Sequence, residues 1–149
     1  MSVWIIVVFI GVIVFATIFG VGENKKGKKT ERNPIKGRRV LTQNEQPTFL
    51  RLNAALPDHF VLAQVSFNAF MTAKGFATRS LFNRKVADFV VLDKNFDVVA
   101  IVELDDASHR GREKQDAERD ALIYEAGYRV IRYKQTPDIE MIRKDFGLY

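Results

Sequence analysis

Apolar and polar positions change their pattern twice along this chain. Residues 3–21, VWIIVVFIGVIVFATIFGV, run for nineteen positions without a charge. A polar, basic stretch follows at 23–39, and from residue 41 onward the apolar positions become periodic. Phe49, Leu52 and Leu56 fall on one face of a helix that Pro57 ends. Its start carries two signals: Thr42 with Glu45 three residues on is a capping-box pattern, while Pro47 favours a cap at Asn44. FVLAQVSF, residues 60–67, is rich in β-branched and aromatic side chains and predicts a strand. Residues 68–80, with Gly75 among them, fit neither period. Two mostly apolar runs, Val86–Leu92 and Val98–Leu104, flank DKNFD and predict a hairpin, and their apolar residues on both faces imply central strands covered on two sides. Ala117, Ala121 and Tyr124 then repeat at helical spacing, with Gly127 as terminator. A short strand at 128–133 and a short helix at 137–146 complete the order α-β-β-β-α-β-α. That order describes an α/β fold of the α+β type, a mixed sheet with helices on its faces. There is no internal repeat.

The uncharged run at 3–21 is long enough to cross a bilayer as one helix. A cleaved signal peptide is the competing reading, but only Met1 and Ser2 precede the run, and no small-residue cleavage site marks its end. The next segment holds Lys25, Lys26, Lys28, Lys29, Arg32, Lys36, Arg38 and Arg39. Basic residues beside a span stay cytoplasmic, which orients the rest of the chain inward. A solvated linker explains the run, and contact with anionic lipid or nucleic acid is the sharper alternative. The expected organisation is an anchor at 1–22, a basic linker at 23–40 and a folded domain at 41–149. The absence of cysteine agrees with a reducing compartment. The formal charge of +5 belongs to the linker, because residues 40–149 carry fifteen basic and sixteen acidic side chains. Bulk charge therefore does not make the folded domain a nucleic-acid binder, and any such role needs a local arrangement.

The candidate chemistry lies in VVAIVELDDASHRG, residues 98–111, where acid begins while the chain still reads as a buried strand. Ionised groups are costly there unless paired or bound to a metal. Asp88 and Glu103 have numbers summing to 191, against roughly 190 for opposed residues of a tight hairpin, so they should lie almost opposite each other. Asp105 shares the face of Glu103 by period two. Side-by-side carboxylates in an apolar sheet raise each other's pKa, and a divalent cation such as Mg²⁺ removes the conflict. The plainer alternative pairs Asp88 with Lys85 or an arginine and leaves Asp105, Asp106 or Ser108 to cap the next helix. A single histidine such as His109 has many uses, and His59 takes no role.

A hairpin carrying DF and then VELDDASH, followed by a charged helix ending in Gly and by YRVIRY, resembles the PD-(D/E)XK restriction-endonuclease-like superfamily. Within it the chain is most similar to the branch of very-short-patch-repair-type endonucleases, and there to an uncharacterised bacterial family often fused to membrane anchors. The resemblance spans about residues 41–146. It implies a restriction-endonuclease-like core binding Mg²⁺ or Mn²⁺ and acting on nucleic acid, DNA ahead of RNA, from a single-pass position in the bacterial inner membrane. Asp88 is then the metal-binding aspartate of the second strand, Glu103 the acid of the third, and Glu45 the acid of the first helix. Asp105 stands where the superfamily usually has a lysine. The repair-type branch also lacks that lysine and offers a downstream histidine for acid–base work, a position His109 matches. Arg112, Lys114, Arg119, Arg129 and Arg132 follow the site and can neutralise phosphates, although Arg119 with Asp116 and Asp120 also makes an ordinary salted helix face.

Two functions emerge. One is a membrane-anchored, metal-dependent nuclease built on Asp88, Glu103, Asp105 and His109. The other is a non-catalytic module on the same fold that tethers nucleic acid or a protein to the membrane.

Overall fold

The computed structural model describes residues 32–105 and 113–148. The apolar run at 3–21, most of the basic run, and Asp106, Ser108, His109 and Arg112 lie outside the described residues. Among the described residues no helix is long and apolar enough to cross a membrane. The chain divides into a unit Met1–Lys36 and a unit Gly37–Tyr149, and the elements below all belong to the second.

Helix α1, Glu45–Ala55, opens the unit. Thr42 N–H donates to Glu45 Oε2 at 2.7 Å, and Glu45 N–H donates back to Thr42 Oγ1 at 3.3 Å, a reciprocal capping box. Gln46 N–H already reaches the Thr42 carbonyl. The functional cap is therefore Thr42. Asn44 has helical backbone and makes no side-chain cap bond.

Strand β1, Phe60–Ser66, runs into a 3₁₀ turn at Phe67–Ala69 and the short helix α2, Phe76–Ser80. Strands β2, Val86–Leu92, and β3, Val98–Leu104, form the expected hairpin. Its register pairs Phe89 with Val102 and Val91 with Ala100, then shifts by one residue to pair Leu92 with Val98. Helix α3, Glu113–Glu125, precedes strand β4, Val130–Tyr133, and helix α4, Ile139–Asp145. Gly127 takes a φ of +85° just past α3, the left-handed conformation in which a helix ends most cheaply on glycine.

Among the described residues the sheet has four strands in the order β1-β2-β3-β4, antiparallel except for the parallel pair β3–β4. Parallel neighbours need a crossover, and α3 stands in it. The pleat sends alternate side chains to opposite faces. Phe89, Val91, Val102 and Leu104 pack with Leu52 of α1, with Leu56 at its C-cap and with Ile142 of α4. Val90 and Ile101 pack on the other side with Phe67, Phe82 and Ile123 of α3. The two central strands are thus covered on both faces, as their apolar runs require.

Candidate functional site

The hairpin ladder reaches Phe89↔Val102. One step further along the same register, Asp88 stands opposite Glu103. The Leu104 N–H, which a regular ladder would give to a backbone carbonyl, donates instead to Asp88 Oδ2 at 3.0 Å. The Asp88 carboxylate thus bridges β2 and β3. Glu103 is 3 % exposed, the buried acid of the core. Burial pushes its carboxyl up to about 8; the Arg119 guanidinium opposes the rise, and the charge and hydrogen bond of Asp88 add to it.

Both neighbours of this pair are arginines. Arg119 of α3 reaches inward to Glu103 Oε1 at 2.5 Å and also donates to the Val86 carbonyl. Its guanidinium lies 5.2 Å from the centre of the Phe67 ring. Its buried Nε–H has no partner among the described residues. Arg132 of β4 is registered beside Glu103. Its fork grips Asp120 of α3 at 2.6 and 3.0 Å, and its Nη1 donates to Asp105 Oδ1 at 2.7 Å. The hydrogen bond from Arg132 to Asp120, with the charges of Asp105 and Glu103, raises the Arg132 pKa still further.

The structure thus brings together two of the expected acids, Asp88 and Glu103. Asp105 extends the strand pairing, with its N–H on the Tyr133 carbonyl at 2.8 Å, and gives its carboxylate to Arg132. Glu45 serves the α1 cap and accepts from Gln64 Nε2 at 3.1 Å. Among the described residues no three His, Cys, Asp or Glu side chains form a group that could hold a metal ion. His109 lies outside the described residues.

Three of the arginines expected to neutralise phosphates have partners within the protein. Arg119 and Arg132 hold carboxylates of the protein, and Arg129 donates to the Asp145 carbonyl over the Phe146 ring. Arg119 turns from its own helix face toward a buried acid. Gln64 was not anticipated. It takes φ +54° in the middle of β1, unusual for a non-glycine residue, and its side chain turns to Glu45.

Mg²⁺ is bound through one or two carboxylates and keeps several waters, and Asp88, half-buried, with Glu103, buried, would supply two acids. A cation there would offset the burial that raises Glu103. All four expected acids hold partners within the protein: Asp88 the Leu104 N–H, Glu103 Arg119, Asp105 Arg132 and Glu45 the α1 cap.

Fold and site together define an α/β domain that carries an acid pair at the frayed end of its central hairpin. The chain belongs to the DUF2726 family, proteins of unknown function, whose family model matches residues 37–148. Neither a curated protein nor a solved structure matches it.

Proposed function

We propose that this protein is a membrane-anchored, metal-dependent nuclease that hydrolyses phosphodiester bonds of DNA or RNA at the cytoplasmic face, on a core of the PD-(D/E)XK restriction-endonuclease-like type. The observation that carries the reading is Glu103, a buried carboxyl set beside Asp88 where the β2–β3 ladder gives way. A strongly perturbed acid beside a specific charge partner is a functional-site candidate. Mg²⁺ or Mn²⁺ would be held by Asp88 and Glu103 and would supply activation of a water and charge stabilisation at the phosphate. Arg119 fixes the Glu103 rotamer and brings a spare N–H donor to the same corner. His109 keeps the acid–base role that the resemblance gives it.

The test is cleavage of single-stranded DNA, duplex DNA and RNA by the full chain in detergent. Product is expected with Mg²⁺ or Mn²⁺ and none in EDTA, and Asp88→Asn or Glu103→Gln should reduce the rate by at least about a hundredfold. No cleavage of any substrate with either metal would overturn catalysis.

One observation favours a second reading. Glu103 and Asp105 already have arginine partners, and a lysine is missing at position 105. A non-catalytic module that tethers nucleic acid would keep this pairing and give binding without product.

A further inference from the structure

The segment between β1 and β2 differs from the rest of the folded unit. Residues 67–85 carry Lys74, Arg79, Arg84 and Lys85 and no acid, which leaves eleven basic against sixteen acidic side chains for the rest of residues 40–149. None of the four cations forms an ion pair among the described residues, whereas Arg119 and Arg132 do. Gly75, at φ +84°, turns the chain into α2 and sets Phe76 outward, 77 % exposed. Beside it Asn68, Met71, Thr72, Phe76, Arg79 and Asn83 line a surface pocket of about 440 Å³. The side-chain oxygen of Asn83 is buried there without a partner among the described residues.

This pocket stands next to the acid pair. Asn68 follows Phe67, whose ring supports Arg119, and Arg119 holds Glu103. Phe67 N–H donates to the Lys85 carbonyl at 3.0 Å, so the pocket wall and the start of β2 are tied together three residues before Asp88. Unpaired cations suit a polyanion, an exposed ring suits a base face, and an unpartnered amide oxygen suits a donor on a base edge. A duplex hides its base faces. A bilayer takes a row of protruding apolar side chains, whereas this surface is a hollow with Asn68, Thr72, Arg79 and Asn83 among its six lining residues.

We infer that this pocket and its cations bind an unpaired nucleic-acid strand, with one base stacked on Phe76 and reaching the Asn83 amide while Lys74, Arg79 and Arg84 hold phosphates on the way to Asp88 and Glu103. As the substrate class of the nuclease, this rests on the function proposed above; as a binding site, it can be tested apart from it.

The experiment is fluorescence anisotropy of a labelled oligothymidylate, about 12 nucleotides long as such grooves accept, with the full chain in nonionic detergent and EDTA. Wild type is expected to bind it in preference to duplex DNA, with affinity falling as salt rises. Phe76→Ala should weaken binding by roughly ten- to a hundredfold, the range for loss of one stacked base, and Phe76→Trp should retain it. Arg79→Ala and Arg84→Ala should each flatten the plot of log affinity against log salt by about 0.7. Unchanged thermal melting shows that the variants fold. Binding with these losses, but without cleavage in Mg²⁺, supports the site and overturns only hydrolysis. Cleavage undiminished in Phe76→Ala overturns the site and leaves hydrolysis standing. The site also falls if wild type does not bind the oligonucleotide, or if the same variants lose binding to phosphatidylglycerol vesicles while binding of the strand is unchanged.

Discussion

Glu103 combines burial, a like-charged neighbour and one arginine in a single side chain. Its folded pKa of about 8 lies above the ordinary 4.5, so the folded state holds a proton that the unfolded chain releases between those values. The stability this gives is fully present below about pH 4.5, is lost as pH rises toward 8, and changes no further above that. In EDTA, unfolding free energy should therefore fall across this window by at most roughly 1.4 kcal/mol per pH unit, and Glu103→Gln should flatten the fall. Near pH 8 without metal, the same substitution is expected to leave stability level or raise it by about 1 kcal/mol, since Gln can still accept from Arg119. Mg²⁺ should raise the Tm of wild type and not that of the variant. A loss of about 3–5 kcal/mol with no response to metal would mark Glu103 as half of a structural ion pair and end the nuclease reading. The acids were legible in the sequence because they interrupt apolar runs. Arg119 was not, because Asp116, Arg119 and Asp120 read as a solvated face until the fold sets α3 over Glu103. Gln64 was invisible for a different reason, since nothing in its residue type announces a left-handed backbone.

At the scale of elements, the hairpin was the most readable part. Its strands occupy the expected residues, and its register sum of 191 holds from Phe89↔Val102 to Val91↔Ala100. The stretch 68–80 was unreadable because it owes its shape to other segments; the Tyr128 hydroxyl, for example, donates to the Phe70 carbonyl. Asp88 doubles as a strand connector, so its variants should separate two roles. Asp88→Asn keeps an acceptor for the Leu104 N–H, while Asp88→Ala leaves that amide unsatisfied at a cost of about 1–3 kcal/mol. Hydrogen exchange at Leu104 should quicken in the alanine variant and stay slow in the asparagine one, whereas metal response should vanish in both. Equal exchange in the two would mean that the bridge to β3 contributes nothing. At the opening of α1, Thr42→Ala should cost about 1 kcal/mol in urea unfolding and Asn44→Ala far less, which checks that the cap is Thr42.

For the whole molecule, the charge pattern divides the chain more sharply than the apolar pattern does. Under the proposed orientation, a reporter fused after Tyr149 should be active only in the cytoplasm, and deletion of residues 1–22 should release a soluble domain; an exported reporter would remove the site from chromosomal nucleic acid. Within the folded unit, the most distant elements in sequence are neighbours in space. Thr48 meets Thr136 at 3.3 Å, Arg51 donates to the Pro137 carbonyl at 2.8 Å, and Leu52 shares a core with Ile142. This seam sets a timetable for synthesis. Helix α1 leaves the ribosome first among these elements. The strands can cover Leu52 and Leu56 as they are made, but the core around them closes only when α4 brings Ile142. A nascent chain stalled before Pro137 leaves the core open on the side that Ile142 closes, so the domain should reach its full protease resistance only after α4 clears the exit tunnel.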